Sequence, residues 1–251
     1  SRNKSYIEFN TQSKVLVAPK KWVDIGNDKL KTYSFLNKIG LSVAPFFYFD
    51  FDNGLWISGI NSQELQEIDF PIFLKPKFGT SNKGIISFKD FSEFQNYNFE
   101  QSKNMFVLQK SLLVKEDSFE VTSSIVLSKE GKIVSNPFHA KRILNKGISW
   151  TIEKYDSKKL DQIVLIIAKN MKGYIGSLNI QFMGSEDKGF YPLEINTRFS
   201  GTTSFRTKCG LNEVMYLTYD LVDIKNNDLI DFKTKRFPKM FRYVEDYIIH
   251  Q

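Results

Sequence analysis

Two neighbouring stretches, residues 178–183 and 190–195, are apolar and β-prone, and the run 185–189 between them is polar and ends in glycine. This pattern predicts a β-hairpin. With Asp187 and Lys188 as a two-residue loop, Gln181 falls opposite Glu194 and Asn179 opposite Asn196. Side chains alternate at period two, so these four polar groups share one face. Ile180, Phe182, Leu193 and Ile195 then share the other. Helical spacing marks three further segments. Leu30, Tyr33, Leu36 and Ile39 follow Asp28, an N-cap residue, and stop at Gly40. Leu160, Ile163, Val164, Ile167 and Met171 follow Ser157 and stop at Gly173. Val214, Met215, Leu217 and Leu221 follow Asn212. A short helix after Asp90 turns Phe91, Phe94 and Tyr97 inward. Strands are expected at residues 14–18, 46–51, 70–76, 85–88 and 105–109, in a hairpin that turns at Lys129, Glu130 and Gly131, and in the tail. Helices mixed with hairpins give an α+β chain.

Composition removes several kinds of chemistry. The 251 residues include one cysteine, Cys209, and two histidines, His139 and His250. One cysteine forms no internal disulfide and fits a reducing cytoplasm. Two histidines leave no zinc site built on several imidazoles, and a Ser-His-Asp triad would have to rest on His139. No run of about 18 apolar residues is present, so no membrane helix is expected. The N-terminus lacks both a signal-peptide core and Met, which reads as a processed chain or a fragment. A net charge of +7 suits a polyanionic ligand. A nucleotide is expected rather than nucleic acid, because no RNA-binding or zinc-finger motif accompanies the charge.

The polar hairpin face is where chemistry is expected. Carboxylate and amide oxygens on adjacent strands suit a hard cation such as Mg²⁺. Arg198 stands two residues beyond Asn196, on the same face if the strand continues, and could grip a carboxylate or phosphate. Read alone, the same face is equally an ordinary solvated sheet surface. A second feature is residues 70–88, FPIFLKPKFGTSNKGIISF. Gly79 and Gly84 are spaced as in a phosphate-binding P-loop, but no Lys-Ser/Thr follows and a strand stands where a helix is required. What remains is a glycine- and hydroxyl-rich hairpin tip with Lys77 and Lys83, able to cover phosphates or simply to turn the chain. Glu116, Lys141 and Arg142 read as surface residues when taken singly.

In order, Asp28-Lys29, Lys75-Pro76 before the glycine loop, residues 108–112 followed by Glu116, Asn179-x-Gln181 and 194–198 (EINTR) resemble the ATP-grasp superfamily. Within it they resemble the carbamoyl phosphate synthetase-like carboxylate–amine ligases. The resemblance runs from about Val15 to the C-terminus. It implies two α+β lobes gripping ATP, at about residues 28–110 and 111–251, after residues 1–27, a linker or the remnant of a front domain that is otherwise largely absent. It implies ATP and Mg²⁺, or Mn²⁺, as cofactors. Lys29 and Lys75 would meet the phosphates, and Gly79, Thr80, Ser81 and Gly84 would close over them. Residues 109–112, with Gln109, Lys110 and Leu112, would read adenine through the backbone. Glu116 would hold the ribose, and Gln181, Glu194 and Asn196 the metal. Arg198 and Lys75 would be catalytic. Arg198, Ser200, Gly201 and Arg206 would face the substrate, and Lys141 or Arg142 could reach the γ-phosphate.

The implied activity is activation of a carboxylic acid as an acyl phosphate, followed by attack of an amine, in the cytoplasm. The implied partners are those small molecules, and either a second copy or another chain that supplies the front domain. Gln181 in place of an acid and Thr197 in place of proline depart from the pattern. Together with the missing front domain, Gln181 supports a rival reading, a nucleotide-binding module without turnover.

Overall fold

In the computed structural model, residues 13–50, 55–58, 70–79, 84–98, 106–110, 118–145, 148–224 and 239–241 are described. Two helices come first, α1 (Lys20–Asn27) and α2 (Lys29–Lys38). Asp28 separates them. Its carboxylate accepts from the backbone N–H groups of Leu30 and Lys31, at 3.0 and 3.2 Å, and so starts α2.

Strands β1 (Phe46–Asp50), β2 (Leu55–Ser58), β3 (Ile72–Pro76), β4 (Ile86–Phe88) and β5 (Phe106–Lys110) form an antiparallel sheet in the order β2-β1-β5-β3-β4. Helix α3 (Phe91–Gln95) sits on one face. There Phe47, Ile72, Leu74, Phe88 and Phe94 form an apolar cluster. Lys75 and Gln109 lie on the opposite face, because strand neighbours alternate.

The second sheet holds β6 (Phe119–Leu127), β7 (Phe138–Asn145), β8 (Ile148–Tyr155), β9 (Gly176–Ser185), β10 (Gly189–Asn196) and β11 (Lys239–Phe241), in the order β10-β9-β6-β7-β8-β11. Helix α4 (Lys158–Asn170) covers one face. Leu160, Val164 and Ile167 pack there with Val121, Ile125, Ile180, Phe182 and Ile195. On the other face, Val126, Phe138, Ala140 and Ile152 pack with Phe205, Cys209, Leu211 and Leu217 from the segment of α5 (Thr203–Lys208) and α6 (Glu213–Leu221). Those helices cover only part of that face; Glu120, Gln181 and Glu194 stand on the remainder.

Residues 13–19 are not a strand. No described strand pairs with them, and Pro19 leads directly into α1. That helix, together with β8 and α5, is not signalled by the periodicity because each is short or interrupted by polar residues. Among the described residues no helix is long and apolar enough to cross a membrane.

Helix α1 lies tightly on β10. A Cβ at Gly26 would stand 2.6 Å from the Ile195 carbonyl oxygen. Gly26→Ala is therefore expected to cost about 1–3 kcal/mol by overpacking. Chemical denaturation would measure the loss, and Gly40→Ala, with no atom within 4 Å of its Cβ but a left-handed φ of 79°, is the comparison.

Candidate active site

The β9–β10 hairpin pairs Glu194 with Gln181 and Asn196 with Asn179, as its alternation implies. The path to that register differs from the expected one. The loop has three residues, Glu186, Asp187 and Lys188, and the strands then shift by one residue between Pro192 and Glu194. Pro192, not Leu193, therefore faces Phe182. Leu193 is the extra residue of a bulge and is only half-buried. Ile180 and Ile195 are fully buried beneath the polar face.

The donors that the hairpin itself brings to this face are one carboxylate and several amide oxygens. The Glu194 carboxylate makes no hydrogen bond to any described residue. The buried Asn179 holds the Arg198 carbonyl through Nδ2, while its Oδ1 has no partner. An orphaned oxygen beside Asn196 and a free carboxylate fit a hard divalent cation. With so few acids, the described residues contain no cluster of three His, Cys, Asp or Glu.

Cations face this patch from the other side. Lys29, at the start of α2, donates to the Gly79 carbonyl at 3.3 Å. Asp28 is buried and pairs with Lys77 at 3.3 Å, which fixes the base of the glycine loop to α2. Gly79 and Gly84 have φ of 128° and 74°, values that favour glycine. Lys75 donates to Gln109 Oε1 at 2.7 Å, and Tyr33 Oη to the same oxygen at 3.3 Å. An ammonium only donates, so the amide oxygen must face Lys75. Burial pushes the Lys75 amine down to about 8, and the neighbouring Lys29 adds to this, against the pull of Glu194 and Glu120. Lys29 is lowered too, mainly by burial. Tyr33 is raised, mainly by burial.

These shifts give a sign. An arriving phosphate stabilises the Lys75 ammonium and raises its pKa. Nucleotide affinity should therefore fall as pH rises through about 8, and binding at about pH 8.5 should take up a proton. Calorimetry in buffers of different ionisation heat measures the uptake, which Lys75→Met should abolish.

The two neighbouring basic residues on β7 separate. Lys141 points to the α4 side, 4.0 Å from the Phe119 ring centre and 4.5 Å from that of Tyr155. Arg142 is on the site face. Its Nη2 donates to Gln181 Oε1 at 2.8 Å and to the Glu120 carboxylate. Glu120 was not expected in the site. The signal available for it was its alternation with Val121, one strand from Gln181.

Arg198 lies beyond the end of β10 rather than on a continued strand; it is exposed, with Nη1 donating to the Phe199 carbonyl at 3.2 Å. Arg206 corrects its expected role as a substrate anchor. It is 1% exposed and paired with the fully buried Glu213. It also donates to Ser200, Thr202 and Thr203, so the Ser200 hydroxyl is engaged internally as well. Gly201 is exposed at the turn before α5. Thr80, Ser81, Leu112 and Glu116 lie outside the described residues, and Lys110 closes β5. His139 does join a serine and an aspartate, Ser123 at 2.8 Å and Asp161 at 3.0 Å. Ser123 is fully buried, so this chain of hydrogen bonds ties α4 to the sheet and offers no nucleophile to solvent.

The sequence profile of the ATP-grasp domain matches residues 26–202. The chain belongs to the ATP-grasp family. It is 26% identical over 232 residues to a carbamoyl-phosphate synthase of Methanobrevibacter smithii, covering 86% of this chain and 58% of that protein. It is 28% identical over 199 residues to the carbamoyl phosphate synthase large chain of Clostridium perfringens, covering 74% of this chain and 17% of that one. The chain thus spans little more than half of the first relative and a sixth of the second. Among solved structures, the ATP-grasp fold is shared with the biotin carboxylase domain of Hydrogenobacter thermophilus 2-oxoglutarate carboxylase, in complex with MgADP, ADP and bicarbonate (TM-score 0.71, 15% identity, 93% of this chain and 53% of that one). An ADP complex of N5-carboxyaminoimidazole ribonucleotide synthetase gives 0.69, with 16% identity over 89% of this chain and 58% of that one.

Proposed function

We propose that this ATP-grasp chain is an ADP-forming carboxylate–amine ligase. The observation that carries the reading is the register that sets Glu194 and Asn196 beside Gln181 and Asn179 on one face, within the electrostatic reach of Lys29 and Lys75. Oxygen ligands opposite two cations suit a metal–triphosphate. Glu194 and Asn196 would hold Mg²⁺, which when bound draws negative charge from the transferring phosphoryl group.

Lys29 and Lys75 neutralise the phosphates. Arg198, exposed at the end of β10, receives the acid. A carboxylate oxygen forms a bond to the γ-phosphorus as the bond to ADP breaks. An amine then attacks the acyl carbon, phosphate leaves, and the nitrogen loses a proton to give an amide. Positioning and electrostatics do this work, and no nucleophilic side chain is needed. Residues 28–110 and 111–251 act as the two gripping lobes, with residues 80–83, 112 and 116 completing the nucleotide site.

Carboxylic acids and amines screened in pairs for ADP and phosphate release test this directly. Release that requires both an acid and an amine is expected. Arg198→Ala should raise the KM for the acid about tenfold or more while leaving nucleotide binding in place. One observation favours a module that binds nucleotide without turnover: Gln181, where an acid would strengthen the metal site, is engaged by Arg142. Nucleotide binding with no release across the whole screen would establish that reading instead.

A further inference from the structure

We propose that the site holds a single divalent cation, and that Arg142, anchored by Glu120, fills the side of Gln181 where a second ion would sit. This rests on the nucleotide–metal reading above. Three strands build the arrangement. Thr122 on β6 pairs with Gln181 on β9, and Val121 on β6 pairs with Lys141 on β7. By alternation, Glu120 and Arg142 share the face of Gln181. One guanidinium nitrogen, Nη2, then donates to both the Glu120 carboxylate and Gln181 Oε1, the latter at 2.8 Å. Nη1 reaches Ser149 Oγ at 3.4 Å. Both charged side chains are largely covered, at 11% and 16% exposure.

Each consequence limits the metal count. Oxygen ligands attract a divalent ion by their negative charge, and Glu120 has its charge matched by Arg142. The Gln181 oxygen already carries a cationic donor, so a second ion on it would lie against a like charge in a partly desolvated place. An arginine cannot yield by losing its proton. Glu194 is left as the free carboxylate among the described residues of this face, enough for one ion with Asn196. Arg142 thereby supplies a fixed positive charge where a second metal would supply an exchangeable one.

Counting Mn²⁺ decides the matter. Protein saturated with the non-hydrolysable imido analogue of ATP is titrated with Mn²⁺ and free ion is followed by electron paramagnetic resonance. One bound Mn²⁺ per chain is expected in the unmodified protein, and two in Arg142→Gln. Glu120→Gln is a second variant that leaves Arg142 in place. It should still bind one, because an amide there still accepts from Arg142 and adds no negative charge. Two ions in the unmodified protein, two in Glu120→Gln, or one in a folded Arg142→Gln would each overturn the proposal. If neither the analogue nor Mn²⁺ binds the unmodified protein, the nucleotide-site reading itself falls, and this inference with it.

Discussion

Glu194→Ala is expected to lower kcat/KM for acid-dependent ADP release by roughly a thousandfold, about 4 kcal/mol of transition-state stabilisation. The size follows from the donor set. Asn196 and Asn179 bring neutral amides, and the Glu120 charge is matched by Arg142. Among the described residues of this face Glu194 is thus the one carboxylate left to hold a metal, and its loss removes that anionic ligand. A second effect should accompany it. Glu194 supports the protonated forms of both Lys29 and Lys75. Without it the Lys75 amine drops further below about 8, so the alkaline decline in nucleotide affinity should begin at lower pH. The unfolding midpoint should barely move, since Glu194 is half-buried and its carboxylate makes no hydrogen bond to a described residue. Undiminished turnover in a purified, folded Glu194→Ala protein would remove this carboxylate from the mechanism.

Arg206→Ala should act on the fold instead, at a cost of about 3–5 kcal/mol, the usual result of stripping a buried charge of its partner. Glu213 is fully buried and accepts from Ser124 at 3.1 Å, Ser177 at 2.8 Å and Thr203 at 2.7 Å as well as from Arg206. These contacts tie α5 and α6 to β6 and β9. Burial also lowers the pKa of Arg206, against the pull of Glu213. Urea denaturation measures the effect. Equal stability for Arg206→Ala and the unmodified protein would mean that the pair contributes nothing net. A near-normal KM for the acid in whatever folded protein remains would separate this structural role from the substrate-anchoring role that its motif position suggests.

Much of the β9–β10 hairpin was legible because burial enforces it. Ile180 and Ile195 have no exposed surface, and slipping either strand by one residue would turn them outward. The loop was misread by one residue and the bulge at Leu193 was unseen, yet the two offsets cancel before Gln181 and Glu194. Helix α2 was readable from Asp28 and Gly40, and α4 from Ser157 and its apolar spacing. Arg142 and Arg206 were not readable in the same way. Nothing local distinguishes an arginine that reaches across the sheet to Gln181, or one that turns inward to Glu213, from an arginine in water. Those fates depend on carboxylates brought near by the fold: Glu120 lies across the β6–β7 pairing, and Glu213 beyond the end of α5.

Gly26 lets α1 rest on the Ile195 backbone, so Lys29, just past its end, is set by the strand that carries Glu194. Lys75 belongs to the other sheet. The two ammonium groups therefore come from separate supports; burial lowers the Lys75 pKa first, and its repulsion from Lys29 adds to that. A polyphosphate bound as proposed above would offset that repulsion and act as a keystone between the two supports.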